Sequence, residues 1–172
     1  MLSVGCNEPG QNGTKGTPCE GYQSMVEQRA QFALWCMLAS PLILGHDVTR
    51  MGDEVRTIIT NAEMIALNQD KLGLRARIVY QSDTIERTIT IYVKNLADAT
   101  SPRAAAVFNR GELMVNVTLT RAQMGFDEAQ CACVHLRDVE LHADVATAVR
   151  GAVLVVLQVQ PHEARVIRAR CC

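Results

Sequence analysis

The stretch QRAQFALWCMLASPLILGHDV, residues 28–48, decides the fold class of the first half of the chain. Apolar residues recur at helical spacing before Pro41, and a proline ends a helix because it lacks the backbone N–H. Ser24 and Glu27 lie just upstream with the spacing of a capping box, which predicts where the helix begins. The wholly apolar residues 42–44 predict a short strand buried on both faces. The stretch therefore indicates a helix followed by a strand, as in α/β proteins.

Two further helices and then a series of strands are predicted downstream. Helical patterns cover residues 53–60 and 62–68, and Asn61 is placed to cap the second of these helices. From residue 79 onward the apolar pattern has period two, which together with intervening turn signals predicts an antiparallel β-sandwich over 79–172. The apolar positions are Ile85, Ile89, Ile91 and Val93, then Leu113, Val115, Val117 and Leu119, and then Val153, Val155, Leu157, Val159, Val166 and Ile167.

Charge and hydropathy argue against two classes of partner. The 172 residues carry 17 Lys and Arg against 18 Asp and Glu, a net charge of −1. Neither half has a basic excess, so we expect no nucleic-acid binding. The most apolar run, residues 30–45, is interrupted by polar residues and is shorter than the roughly 20 residues of a transmembrane helix, so we expect no membrane span. Residues 1–22 are polar and glycine-rich and contain no signal-peptide core.

Cysteines and glycosylation sequons favour an oxidising compartment. Cys6 and Cys19 bracket a glycine-rich loop, and they either form a disulfide or remain free thiols. Asn12 and Asn116 each begin an Asn-x-Thr sequon, and the pattern of the surrounding strand points Asn116 away from the apolar face. Together these features are typical of a secretory or lysosomal-type route.

The remaining cysteine motifs have two further interpretations. Cys131-Ala-Cys133 followed by His135 resembles half of a metal site, but no second pair lies at zinc-finger spacing, so we expect no metal. The Cys171-Cys172 pair is also compatible with a lipidation signal. No other motif points to a cofactor.

Three blocks of sequence carry a resemblance to a known enzyme family. They are Met1-Leu2-Ser3-Val4-Gly5, the stretch at 28–48 quoted above, and IALNQDKLG at 65–73. In this order and spacing they resemble the retaining α-galactosidase and α-N-acetylgalactosaminidase family, glycoside hydrolase family 27. The second half resembles the family's C-terminal domain more loosely, at Asn109-Arg110-Gly111, Leu136-Arg137-Asp138 and Pro161-His162-Glu163-Ala164.

The resemblance implies an architecture and an activity. It implies an α/β fragment, the last part of a (β/α)₈ barrel, at 1–78, followed by an all-β antiparallel sandwich at 79–172. The family hydrolyses terminal α-linked galactose or N-acetylgalactosamine with retention and without a cofactor, so the implied partner is an α-galactoside or related glycan. The family's members are secreted or lysosomal-type proteins, and Met1 matches a methionine that lines their sugar pocket.

The same resemblance implies that this chain holds no catalytic residue of its own. Retaining glycosidases need two carboxylates about 5–5.5 Å apart, and both catalytic aspartates of the family precede the position that matches Met1. Asp47 is the one acidic residue well placed at the end of the predicted strand, and we expect it to make a loop or cap hydrogen bond. Asp53, Glu54 and Asp70 are expected near helix ends. We therefore expect the chain to be inactive alone.

Two functions of other classes stay open at this point. One is a non-catalytic carbohydrate-binding sandwich, and the other is a structural domain that binds a partner chain. A sugar-binding sandwich usually presents an aromatic platform, and among Tyr80, Tyr92, Phe108 and Phe126 only Tyr92 clearly points off the main apolar face. The sequence indicates no particular oligomeric state.

Overall fold

The computed structural model describes residues 2–5, 23–84, 87–97 and 102–172. Helices occupy most of the first part of this range, and antiparallel strands occupy the second. The helices are α1 (Met25–Met37), a 3₁₀ helix (Val48–Arg50), α2 (Asp53–Ile59), α3 (Ala62–Asn68) and α4 (Arg121–Met124). The strands are β1 (Arg77–Thr84), β2 (Arg87–Asn95), β3 (Arg103–Asn109), β4 (Val115–Thr120), β5 (Val134–Asp138), β6 (Ala143–Val149), β7 (Val153–Val159) and β8 (Ala164–Cys171).

Helix α1 begins where the capping box predicts. The Glu27 N–H donates to Ser24 Oγ at 3.3 Å, and the Ser24 N–H donates to Glu27 Oε2 at 2.7 Å. The hydrogen bonds from Ser24 hold the pKa of Glu27 below its ordinary value. The helix ends at Met37, ahead of Pro41, because Ala39 adopts a left-handed backbone conformation with a φ of 52°.

The predicted strand at 42–44 forms only a single parallel bridge. Leu44 pairs with Leu2 through the Leu2 N–H, which donates to Ile43 O at 2.8 Å, and the Gly45 N–H, which donates to Leu2 O at 2.9 Å. Ile43 is 58% exposed, so the prediction of burial on both faces is wrong. Among the described residues this segment pairs only with 2–5, which leaves its other edge open.

Helices α2 and α3 lie where the helical patterns predict them. Asn61 Oδ1 accepts the N–H groups of Glu63 and Met64, both at 3.0 Å, and so caps α3. The Asn61 amide also donates to Val139 O at 3.1 Å. This one side chain therefore begins a helix and fastens it to the segment that follows β5.

The strands β1–β8 of the described residues pair only in antiparallel fashion, which confirms the predicted sandwich. Six strands form one sheet in the order β1-β2-β3-β8-β5-β6, and β4 pairs with β7 in a second sheet. Ile89, Ile91 and Val93 of β2 face the second sheet, as the alternation predicts. Strands β5 and β6 are not evident from the sequence pattern. In β6, five of the seven residues are exposed and the other two are only half-buried, so the strand has no buried apolar stripe.

Two apolar cores lie on opposite faces of the six-stranded sheet. The first lies between this sheet and α1–α3, and the second lies between this sheet and the β4–β7 pair. Val166 and Ile167 of β8 are both fully buried, one in each core, because successive strand residues face opposite sides. Val153 is 50% exposed, since the register of β4 and β7 shifts beside Thr120, and the predicted apolar stripe is wrong at this residue.

Lys94 of β2 joins the helices to the sheet. Its side chain is fully buried, and Nζ donates to Leu67 O at 2.5 Å and to Cys36 O at 3.3 Å. These carbonyls lie near the C-terminal ends of α3 and α1, where the helix dipole favours a cation. Burial lowers the pKa of Lys94. Because the helices and strands share the first core, the division of the chain at residue 78, which falls within β1, stays a prediction.

Candidate functional site

The candidate site lies where residues 2–5 and 44–47 run side by side. Leu2 and Leu44 form the parallel bridge, and Gly5 and His46 lie just beyond it. In barrels and open α/β sheets, ligands bind beyond the carboxyl ends of parallel strands. The structure therefore brings together the two segments that the resemblance assigns to the sugar-binding end of a barrel.

Two glutamines of α1 hold the first of these segments in place. Gln28 Oε1 accepts the Gly5 N–H at 2.7 Å, and Gln31 Oε1 accepts the Ser3 N–H at 3.1 Å. Gln31 Nε2 also donates to Ser3 Oγ at 2.9 Å. Gln28 is only 2% exposed. No sequence motif marks these positioning residues, although glutamines among the apolar residues of a helix are a usable signal.

Gly5 and His46 are in close contact. Gly5 has a φ of 87°, and a Cβ at this position would lie 2.9 Å from Cε1 of His46. Only glycine tolerates both the backbone conformation and the contact. Both ring nitrogens of His46 are buried and have no hydrogen-bond partner in the described part of the chain. His46 therefore does not form an acid–base hydrogen bond with the adjacent Asp47.

Asp47 makes a cap hydrogen bond, as expected. Its Oδ1 accepts the Thr49 hydroxyl at 2.6 Å and the Thr49 N–H at 3.0 Å, and its Oδ2 lies 3.7 Å from Nε of Arg50. The hydrogen bonds from Thr49, together with the charge of Arg50, hold the pKa of Asp47 below its ordinary value. A carboxyl group that stays ionised at neutral pH is unsuited to act as a general acid.

The other acidic residues considered above also have structural positions. Asp70 accepts the N–H groups of Leu72 and Ala97, and so joins the segment after α3 to the segment after β2. Asp53 lies 3.0 Å from Arg56 on the exposed side of α2, and Glu54 follows it in the first helical turn. These placements agree with roles in holding chain segments and helix ends.

The predicted site residues are only partly covered by the structure. Met1, Cys6, Asn12 and Cys19 lie outside the described residues. Asn116 lies on β4 with its side chain exposed, on the face opposite the second core. This is the orientation that a glycan acceptor needs, and its glycosylation stays a prediction.

Four cysteines near the ends of β5 and β8 form two disulfides, Cys131–Cys171 and Cys133–Cys172. Their sulfurs are consumed, so the interpretations as a metal half-site and as a lipidation signal are wrong for this structure. Within the described ranges, no cluster of three or more metal-ligating side chains occurs. The pairing depends on the register of β5 against β8, which the sequence pattern does not reveal.

The aromatic residues do not form the platform that sugar-binding sandwiches use. Tyr92 and Phe108 pack against the first core, and Phe126 is buried in the second. The guanidinium of Arg103 lies over the Phe126 ring, 4.6 Å from its centre. Tyr80 is 45% exposed and stands apart from the others on β1. Tyr92 points off the main apolar face, as expected, but the helical layer covers the face on which it lies.

A crevice of about 290 Å³ separates the helices from the β5–β6 connection. Beside it, Arg137 forms a two-pronged pair with Glu63, both contacts at 2.8 Å, and His142 Nδ1 lies 2.8 Å from the same carboxylate. The hydrogen bonds from Arg137 lower the pKa of Glu63 to about 2. Burial instead raises the pKa of Glu140 in the crevice wall. This charged junction fastens α3 to the sandwich.

Known proteins resemble both the helical part and the sandwich of this chain. The sequence profile of the family described as alpha galactosidase A matches residues 20–70. Alpha-galactosidase A of Cellvibrio japonicus is 47% identical over 70 residues, which are 41% of this chain and 16% of that protein. The chain is related to the α-galactosidases of glycoside hydrolase family 27. Alpha-N-acetylgalactosaminidase of Rattus norvegicus is 36% identical over 87 residues, which are 51% of this chain and 20% of that protein.

The likeness to family 27 extends through the sandwich. A solved structure from Bacteroides fragilis, provisionally named an α-galactosidase/melibiase, matches 100% of this chain and 33% of its own, with a TM-score of 0.80 and 30% identity. The α-galactosidase-related chain thus spans between 16% and 33% of the length of these three relatives. None of the helices in its described ranges is long and apolar enough to cross a membrane.

Proposed function

We propose that this chain forms the closing part of an α-galactosidase-like barrel, together with its C-terminal sandwich. In this proposal the complete enzyme hydrolyses terminal α-linked galactose or N-acetylgalactosamine with retention, and both catalytic aspartates come from a barrel segment outside these 172 residues. Met1 contributes to the sugar pocket, and the chain alone is inactive. The proposed division is a barrel end at 1–78 and a sandwich at 79–172.

The parallel bridge between Leu2 and Leu44 is the observation that supports this proposal best. A barrel closes only when each parallel strand has a neighbour on both sides. Here the segment at 42–44 pairs with residues 2–5 alone among the described residues, and the side chain of Ile43 is 58% exposed. An unpaired strand edge flanked by exposed apolar residues is a surface that another strand can cover.

The chemistry of the carboxylates also supports the proposal. Retaining hydrolysis needs a nucleophile and an acid/base residue about 5–5.5 Å apart. Asp47, the carboxylate nearest the candidate site, is engaged by Thr49 and Arg50. Asp70 is engaged by backbone N–H groups. The residues that the chain does offer at this end, Gln28 and Gln31, position backbone rather than carry a reaction.

The test measures release of 4-nitrophenol from its α-galactoside and its α-N-acetylgalactosaminide. We expect the purified chain to give no turnover above the blank. We expect activity when it is refolded together with the preceding barrel segment of the Cellvibrio japonicus relative. Turnover by the chain alone that Asp47→Asn abolishes would overturn the proposal, and so would failure of the folded mixture to associate.

Two matched variants show whether the open edge mediates this association. Ile43→Asp places a charge on the exposed apolar side chain beside the open edge, whereas Leu141→Asp places one on the β5–β6 connection, where the leucine is 66% exposed. Neither Ile43 nor Leu141 is buried in this chain, so both variants should fold. We expect Ile43→Asp to abolish association and activity, and we expect Leu141→Asp to retain both.

The two disulfides also support a proposal about the protein's location. Disulfides persist in oxidising surroundings such as the secretory route. We therefore propose a secreted or lysosomal-type location, with a further disulfide between Cys6 and Cys19 and glycans on Asn12 and Asn116. Mass spectrometry of non-reduced tryptic peptides, with and without enzymatic deglycosylation, tests the disulfide and the two glycosylation sites.

A further inference from the structure

A basic surface lies on the sheet face opposite the second core, beside the helices. The register of β5 against β8 sets Arg137 directly opposite Arg168 and His135 directly opposite Arg170. The residues between them, Leu136 and Ala169, point into the second core, so the four basic side chains share the other face. Directly opposite side chains on antiparallel strands have Cβ atoms about 5 Å apart. We call these four residues the basic patch.

The basic patch has more cationic groups than local acids can neutralise. Arg137 is held by Glu63 and by Asp144, whose Oδ1 lies 3.2 Å from Nη1 of Arg137. Arg168 and Arg170 are both exposed, and neither has an ion pair with any residue in the described ranges. Arg168 and Arg170 lie two residues apart on β8 and so share one face, where their like charges repel each other. An anion bound between them would remove this repulsion.

The patch also has a defined shape. His135, Arg137, Asp144, Arg168 and Arg170 line a cavity of about 260 Å³, together with Leu136. The disulfides Cys131–Cys171 and Cys133–Cys172 join β5 and β8 immediately beside this cavity. A covalent connection at this point fixes the register that brings the arginines together, and fixing a site in advance reduces the entropy lost on binding.

We propose that the basic patch binds a sulfate or phosphate group. Arginine is suited to this role, because its planar guanidinium donates two parallel hydrogen bonds to tetrahedral oxyanions. Arg168 and Arg170 supply the charge, and His135 supplies a further ring donor. The whole chain has a net charge of −1, so the attraction is local to the patch. The anion comes either free or as part of a sulfated or phosphorylated saccharide, and binding is independent of hydrolysis.

Calorimetric titration of the full 172-residue chain tests this inference with three probes. They are inorganic sulfate, a sulfated heparin oligosaccharide, and the same oligosaccharide after chemical desulfation. We expect both sulfated probes to bind and the desulfated one not to bind. Equal affinity for inorganic sulfate and for the oligosaccharide identifies a free anion as the ligand, whereas tighter binding of the oligosaccharide identifies a sulfated glycan.

Two double variants with the same change of net charge separate a site from general attraction. Arg168→Gln/Arg170→Gln removes the two free arginines, and Arg75→Gln/Arg150→Gln removes two exposed arginines elsewhere. We expect the first to weaken binding by about tenfold or more, and the second to change it by less than about twofold. Equal weakening in both, or no binding by the wild-type chain, overturns the proposal.

A third variant covers the case in which the glutamines disturb the sheet. Arg168→Lys/Arg170→Lys keeps both charges but loses the forked donors. We expect its circular dichroism and thermal midpoint to match those of the wild-type chain and its affinity to lie between those of the wild-type and glutamine forms. Affinity equal to that of the wild-type chain contradicts recognition by the guanidinium groups.

Discussion

Asp138 at the end of β5 is the acidic side chain whose loss should cost this fold the most. It is 1% exposed, and its Oδ1 accepts the N–H groups of Glu140 and Leu141, both at 3.0 Å. Its Oδ2 accepts Nη2 of Arg165 from β8 at 2.5 Å. One carboxylate therefore holds the turn after β5 and pairs with the neighbouring strand. The perturbation is Asp138→Asn, which keeps the size and removes the charge.

The magnitude follows from these contacts. Breaking a buried ion pair by removing one partner typically costs about 3–5 kcal/mol, because the other charge is left without compensation. The Arg165 side chain is 21% exposed and can recover some hydration. The asparagine oxygen can still accept the two turn N–H groups. We therefore expect the lower end of the range, a loss of about 3 kcal/mol in the free energy of unfolding.

Urea unfolding of the disulfide-bonded chain, followed by circular dichroism, measures this loss. Asp144→Asn is the matched control, because it makes the same change of charge at a side chain that is 57% exposed and lies 3.2 Å from Arg137. An exposed pair contributes about 0–1 kcal/mol. A loss below about 1 kcal/mol for Asp138→Asn, or equal losses in the two variants, would refute the reasoning from burial.

Two further variants test the junction of α3 with the sandwich and the candidate site. The pKa of Glu63 is lowered to about 2, so its pair with Arg137 stabilises the fold above pH 4.5, and this contribution is lost as the pH falls towards 2. The thermal midpoints of the wild-type and Glu63→Gln chains should therefore differ at pH 6 and converge near pH 2. A difference that is constant with pH would contradict the assignment. Gly5→Ala should lower the free energy of unfolding by about 1–2 kcal/mol, because alanine is strained at a φ of 87° and its Cβ would lie 2.9 Å from the His46 ring. Adding His46→Ala should recover part of this loss in the same urea experiment. No recovery would show that the backbone alone is responsible.

Local features of this fold could be predicted because their partners are close in sequence. The capping box joins Ser24 to Glu27, and Asn61 caps α3 through Glu63 and Met64. The alternation in β2 and β4 likewise repeats every two residues, and it placed Ile89, Ile91 and Asn116 on the correct faces. Each signal lies within a few residues, so no knowledge of distant contacts is needed to read it.

Other features depended on which segments meet. The run at 42–44 is as apolar as a fully buried strand, but its burial depends on neighbouring segments. Among the described residues it pairs only with 2–5, and Ile43 is 58% exposed. The alternation pointed Tyr92 off the main apolar face, but only the packing of the helices decided that this face of β2 is covered. A one-residue shift in register exposed Val153.

The amino-acid sequence by itself determined the helix starts, the strand alternation and the relation to family 27, because each of these depends on residues that are close together in the sequence. Only the tertiary structure decided the pairing of Cys131 with Cys171, the burial of Lys94 beneath two helix ends, and the meeting of Arg137 with Arg168. The physical reason is sequence separation. Strand register brings together residues that are tens of positions apart, and that register depends on the packing of the whole sheet between its two cores.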